Sequence, residues 1–431
     1  MFFLDNLQNP WKSPYQWLFL DLNSYFASVE QQDRPALRGQ PIAIVPLSSD
    51  STCAIAASYE AKAFGIRTGT KIYEARRLCP RLICVPARHD IYVEYHHKIL
   101  AEVIKYTPIN KICSIDELSS RLPPNKQNKE AVIALSHRIK EGIHKNVGVA
   151  INCSIGIAPN AFLAKVATDM MKPDGLVILD EDAITGRLFH LELTDLPGIN
   201  TQMKKRLSKS GIYTIEQFWN LSPKHARAVW GSIEGERFWY RLRGYDLPDT
   251  PTHTSMIGHS RVLDPELRVP DIAKQVARRL TIKAASRLRR TGLYAGEFAL
   301  SVREDGMDGQ KYSLAYRLSP SQDNFKFLNA LDILWAEVMA KLNPWKIKKI
   351  AVALYHLCEE QDITPDLFDA TCLLTTKTQH KNEKISLLMD SINQKYGSES
   401  IQLGISPKTQ AGYVGTKIAF HRIPELEEFN E

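Results

Sequence analysis

Residues 17–30, Trp-Leu-Phe-Leu-Asp-Leu-Asn-Ser-Tyr-Phe-Ala-Ser-Val-Glu, constrain the fold more than any other stretch of the chain. The bulky, unbroken run over 17–20 reads as a strand buried on both faces. Asp21 stands at or just past the C-terminal end of that strand, and Asn23 or Ser24 then offers an N-cap for a helix. A carboxylate where a buried strand opens onto a helix is a favoured place for a ligand or a metal. Taken alone, the stretch is equally served by an Asp21 that merely caps or turns the chain.

At 431 residues the chain is too long for one core, and about two to four domains are expected. Its composition, 44% hydrophobic and 24% charged, is that of a soluble globular protein. Residues 1–20 lack the basic region, apolar core and cleavage site of a signal peptide, and no run approaches a membrane span. A cytoplasmic protein with no membrane partner is expected. The 7 cysteines are scattered, odd in number and without zinc-type spacing, which fits reduced core residues. The net charge of +7 is a modest excess, so its distribution matters more than its size.

Strands and helices alternate from 17 to 180. A strand over 42–46 and a polar turn at 48–51 lead into a small-residue segment, 54–65, that enters a short helix stopped by Gly65. Tyr59 and Lys62 are three apart and share a helix face, where they could hold a phosphate or simply meet solvent. A helix over 91–106 precedes a strand over 109–118 that carries Asp116 and Glu117. On a regular strand these neighbours point to opposite faces, so they reach one centre only if the chain bends there. Two acids in an apolar stretch are costly unless paired or on a metal. Asp21, from a second strand, would complete an oxygen cluster suited to magnesium. A helix over 129–146, a strand over 149–157, a helix from Pro159-Asn160 and a turn over 169–175 with Lys172 at its lip complete an α/β or α+β domain.

Leu196-Pro197-Gly198-Ile199-Asn200 followed by Lys204 and Lys205 is close to a helix-hairpin-helix, whose turn and lysines face a DNA phosphate. Asn200 replaces the usual second glycine and tolerates a left-handed conformation less freely. Helices continue to Gly244, and 247–252 is a linker. From about 255 the order is strand (255–262), helix (271–290), strands (297–303 and 311–318), helix (321–342) and strand (348–357), a ferredoxin-like βαββαβ sandwich. Its first helix carries Lys274, Arg278, Arg279, Lys283, Arg287, Arg289 and Arg290, with no acid from Ile272 to Gly296. Solvated helix faces usually mix both signs, so this cationic stripe reads as a phosphate-binding surface. After the last strand, 362–369 fits a loop lid or a peptide for a partner's groove, and 380–397 reads as a helix.

Together these pieces resemble the Y-family, the lesion-bypass DNA polymerases. The resemblance rests on six motifs in order: 21–30, Ser-Tyr-Glu-Ala-Lys-Ala-Phe-Gly-Ile at 58–66, Ser-Ile-Asp-Glu at 114–117, Ser-Ile-Gly-Ile-Ala-Pro-Asn at 154–160, 163–175 and Leu-Pro-Gly-Ile at 196–199. It implies an α+β right-hand polymerase: palm (1–25 and 86–180), small fingers (26–85), helical thumb (181–246), little finger (255–358) and a C-terminal tail (359–431). It implies that Asp21, Asp116 and Glu117, with the Leu22 carbonyl, are catalytic and hold two Mg2+ ions. Tyr59, Lys62 and Lys172 then grip the dNTP triphosphate, and Phe26 closes off the sugar 2′ side. Primer-template DNA is the expected partner, bound in part by Gly198, Lys204 and Lys205, and the protein is expected to be a monomer. Asp366, Leu367 and Phe368 resemble a diverged sliding-clamp peptide. The chain departs from the family at Asn23 (usually Asp), at Lys62 (usually Arg) and in Leu-Ser-Ser-Arg after Glu117. Two other classes fit part of the pattern: a non-catalytic DNA- and clamp-binding scaffold, and a metal-dependent nuclease using the same acids.

Overall fold

The computed structural model describes residues 13–363 apart from 47–48, 51, 250–253 and 307–308, together with 372–397 and a few isolated positions toward either end. The chain divides into two compact units, the first built on residues up to Asp249 with a return segment at 416–429 and the second on 250–415. Ile418 and Ile423 pack back on the first unit's core.

The first unit begins with β1 (Trp17–Leu22), α1 (Tyr25–Asp33), β2 (Ile42–Val45), β3 (Ala56–Ala57), α2 (Tyr59–Lys62), α3 (Ile72–Leu78) and β4 (Ile83–Pro86). It continues through α4 (His89–Val103), β5 (Lys111–Ile112), β6 (Glu117–Arg121), α5 (Lys129–Asn146), β7 (Cys153–Ala158), α6 (Ala161–Met170) and β8 (Leu176–Ile178). Strands β3-β2-β4 form a small sheet, and β5-β6-β1-β7-β8 form a larger one with β1 at its centre, antiparallel to β6 and β7. Because side chains alternate along a strand, Leu18, Leu20 and Leu22 enter the core built with α4 and α5, while Phe19 enters the core on the other face with α6. That second layer lies very close. A Cβ on Gly156 of β7 would stand 2.0 Å from the Ala164 carbonyl of α6, so only glycine admits the helix there.

Three expectations need correction. β1 extends to Leu22, so Asp21 lies within the strand: the Leu22 N–H donates to the Asp116 carbonyl (2.9 Å) and carries the ladder past the acid. The segment 109–118 is not one strand. The Cys113 and Ser114 N–H groups both donate to the Glu117 carbonyl, which folds the chain into a tight turn between β5 and β6. The strand expected over 149–157 starts only at Cys153, after a turn in which Ile151 N–H donates to the Gly148 carbonyl.

Helices α7 (Glu181–Leu188), α8 (Thr201–Lys209), α9 (Ile215–Trp219), α10 (Pro223–Trp230) and α11 (Ile233–Leu242) follow, packed around Phe218, Trp230 and Phe238. Gly198 has φ 95°, the left-handed turn residue before α8. Asn200 is not left-handed. Its backbone is extended (φ −86°) and its side chain caps α8, accepting from the N–H groups of Gln202 (3.1 Å) and Met203 (2.9 Å).

The second unit has β9 (Met256–Val262), α12 (Pro270–Arg290), β10 (Tyr294–Glu304), β11 (Lys311–Ser321), α13 (Asn324–Leu342) and β12 (Ile347–Cys358), the expected βαββαβ order. Its antiparallel sheet runs β11-β10-β12-β9, so the last strand fills the gap between the first and second. Phe298, Leu300, Val302, Ile350, Val352 and Leu354 face α12 and α13. A further helix, α14 (Cys372–Tyr396), packs on both. It is locked by buried Arg289, which donates to Asp390 through two nitrogens (2.7 and 2.9 Å). Among the described residues, no helix is long and apolar enough to cross a membrane.

Candidate active site

The register of the large sheet places Asp21 of β1 directly opposite Glu117 of β6, on the face covered by α6. The turn before β6 holds Asp116 at the end of β1, where the Ser114 hydroxyl donates to its carboxylate (2.5 Å). The bend that adjacent acids require is therefore present. The two acids nonetheless do not stand alone with Asp21. Lys165 of α6 places its ammonium 2.5 Å from Asp21, 2.8 Å from Glu117 and 3.3 Å from Asp169. Lys172 reaches Asp21 and Asp169, both at 2.8 Å. Among the described residues, no three acids, histidines or cysteines are grouped closely enough to enclose an ion as they stand, and an ammonium is shared between Asp21 and Glu117.

The electrostatics follow from this arrangement. Burial opposes ionisation of Asp21, yet Lys165 and Lys172 outweigh it and hold its carboxyl below the usual range. Burial pushes Asp116 up, and Asp21 adds to the shift. Burial also pushes Glu117 up, against the pull of Lys165. Asn23 takes no part in this charge balance. Its side-chain N–H donates to Ser154 (3.1 Å) and its oxygen accepts from the Asp174 N–H (2.7 Å), which ties the 171–175 turn to the sheet. A carboxylate could accept from Asp174 but could not donate to Ser154.

Beside the acids, Lys62 donates to the Ser24 hydroxyl (2.7 Å) and lies 4.3 Å above the Tyr59 ring. Burial, then the Lys172 charge, draws the Lys62 pKa down, as expected of a cation held near another cation. Phe26, on the first turn of α1, stacks on Tyr92 with centroids 4.4 Å apart, and Tyr92 donates to buried Glu30 (2.9 Å). Lys204 pairs with Glu192 (2.8 Å), and Lys205 is exposed.

In the second unit the cationic stripe is not an open surface. Lys274 (2.8 Å) and Arg278 (3.1 Å) both pair with Asp332 of α13, and Arg289 is consumed by α14. Arg279, Lys283, Arg287 and Arg290 also have partners. Beyond Asp271 in its first turn α12 has no acid of its own, and Asp332 and Asp390 from neighbouring helices supply the pairing charge. The sheet face opposite the helices carries a row of Lys311, Arg303 and Lys349 in register, beside small residues Ser313, Ser301, Ala351 and Ser260. Asp366, Leu367 and Phe368 lie outside the described residues.

The sequence matches the impB/mucB/samB family over residues 20–169 and that family's C-terminal domain over 254–367, together more than half of the chain. It is 29% identical over 398 residues to DNA polymerase IV of Moorella thermoacetica, covering 90% of this chain and 95% of that one. It is 27% identical to DNA polymerase IV 1 of Bacillus subtilis, covering 91% and 93%. The chain belongs to the Y-family of DNA polymerases. It is a DNA-directed DNA polymerase of the lesion-bypass, polymerase IV type. The fold agrees: a chimera of the Y-family polymerases Dbh and Dpo4 superposes with a TM-score of 0.66 at 22% identity, covering 80% of this chain and 99% of the other. DinB from Sulfolobus solfataricus gives 0.50 at 23% identity, covering 79% and 98%.

Membership of this family implies a metal-dependent reaction. The polymerase supplies hard oxygen donors in Asp21, Asp116 and Glu117, the chemistry that Mg2+ prefers. The sequence pattern of acids left out Lys165 and Asp169. Their signal was nonetheless present: 165, 169 and 172 are spaced four and three apart, which aligns them along one side of a helix and the turn that ends it.

Proposed function

We propose that this polymerase adds dNTPs to a primer 3′-hydroxyl on primer-template DNA by two-magnesium nucleotidyl transfer. Asp21, Asp116, Glu117 and the Leu22 carbonyl hold the ions. Divalent ions so held lower the pKa of the attacking hydroxyl and neutralise charge on the phosphates. The observation that carries this reading is the sharing of one cationic group by Asp21 and Glu117 across adjacent strands, with Asp116 beside them. Tyr59, Lys62 and Lys172 take the triphosphate, and their proximity to one another supports that role. Phe26 lies against the sugar and excludes a 2′-hydroxyl.

The domains are those expected from the resemblance: palm, fingers and thumb in the first unit and the little finger in the second. Gly198, Lys204 and Lys205 hold the DNA backbone on the thumb. In the little finger the Lys311, Arg303 and Lys349 row gives DNA a more open cationic surface than α12, whose Lys274 and Arg278 are paired. Asp366, Leu367 and Phe368 bind a sliding clamp, and the polymerase works as a cytoplasmic monomer. Primer extension on undamaged and lesion-bearing templates tests the whole reading: synthesis that Asp116→Ala abolishes is expected. No synthesis by the wild type would mean a scaffold, and degradation would mean a nuclease.

A further inference from the structure

Lys165 is the group through which the charges of the site are connected. It projects from α6, is 17% exposed, and touches Asp21, Glu117 and Asp169 at once. Asp169 stands apart from the three acids assigned to the metal, yet it is the acid that both lysines contact besides Asp21. It lies one helical turn from Lys165, so the Lys165 ammonium can pass to it by changing side-chain rotamers alone. The acids Asp21, Asp116, Glu117 and Asp169 carry four negative charges against two from Lys165 and Lys172. Four less two leaves the net charge that one divalent ion neutralises.

A divalent ion bound by Asp21 and Glu117 needs carboxylate oxygens that the ammonium now engages at 2.5 and 2.8 Å. Mg2+ binds oxygen at about 2.0–2.1 Å, so two cations cannot occupy that position together. We propose that Lys165 is a positioning residue that sets the metal affinity of the polymerase: its ammonium competes with the divalent ion for Asp21 and Glu117 and withdraws to Asp169 as the ion enters. The proposal rests on the assignment of Asp21 and Glu117 as metal ligands. In the absence of bound metal, the same lysine keeps neighbouring buried carboxylates from repelling one another, which holds the strands ready.

Equilibrium Mn2+ binding to the full chain, read by electron paramagnetic resonance without DNA or nucleotide, tests this. Lys165→Met should bind Mn2+ on the order of tenfold more tightly, and Asp169→Asn should bind it several-fold more weakly. Unchanged or weaker binding by a folded Lys165→Met variant overturns the proposal. Asp21→Asn separates the two claims. If it binds like the wild type, the ligand assignment itself fails; if it loses binding while Lys165→Met is unchanged, only the competition fails. In the wild type, the 15N resonance of the Lys165 ammonium should shift along the Mg2+ binding isotherm, and a resonance that stays fixed at saturation also overturns the proposal.

Discussion

Tyr92 lies flat against Phe26, ring centroids 4.4 Å apart and planes 15° from parallel. The Tyr92 hydroxyl is fixed by Glu30, which is itself held through two nitrogens of Arg88 at 3.0 and 2.6 Å. This chain of contacts braces the Phe26 ring, as the proposed exclusion of a 2′-hydroxyl would require. Phe26→Ala should raise ribonucleotide incorporation relative to deoxyribonucleotide on the order of a hundredfold, measured as a ratio of kcat/KM values. Tyr92→Ala should give a smaller rise in the same direction. An unchanged ratio in Phe26→Ala would make that ring an ordinary core residue.

Burial pushes the Asp116 carboxyl above its ordinary range. A carboxyl whose folded pKa is raised costs stability at neutral pH, and the cost is relieved as pH falls through that value. Asp116→Asn should therefore abolish extension while raising the thermal midpoint by roughly 2 °C. A lower midpoint, by calorimetry, would mean that the negative charge supports the fold.

The pH profile of metal binding should carry the opposite sign. Asp116 and Glu117 are both pushed above the usual carboxyl values of 3.8 and 4.5, so under the proposed ligand assignment protons should displace metal earlier than at an isolated acid. Mn2+ affinity should begin to fall as pH drops toward those raised values. Asp21, held low by Lys165 and Lys172 against burial, contributes to the loss only at lower pH. A midpoint at or below the usual carboxyl range would contradict this order.

Replacing Arg303, Lys311 and Lys349 together by Ala should weaken DNA binding and reduce the slope of log K against log salt by about one unit for each phosphate no longer neutralised. Replacing Lys274 and Arg278 should change the slope little, because both already face Asp332. The reverse pattern would return the DNA surface to α12.

Much of this architecture was legible because periodicity is local. The helix over 129–146 has those bounds in the structure, and the βαββαβ order of the second unit is as expected. What failed depended on specific hydrogen bonds and ion pairs, some within a few residues and some to other helices. The turn at 113–116 is made by carbonyl sharing that no hydropathy pattern encodes. The stripe on α12 looked unpaired because its acids, Asp332 and Asp390, sit on other helices. Asn200 looked like a glycine substitute, whereas its amide oxygen caps α8. The three acids were identifiable from their motifs, whereas the 165, 169 and 172 spacing marked a shared helix side without saying that Lys165 reaches Asp21 and Glu117.

The place of β1 between β6 and β7 has a consequence for how the enzyme can fail. Leu20 and Leu22 alternate with Asp21, so sliding the strand by one residue would drive the acid into hydrocarbon and turn two leucines toward Lys165 and Glu117. Correct pairing of the central strand and correct placement of its acid are therefore one and the same event.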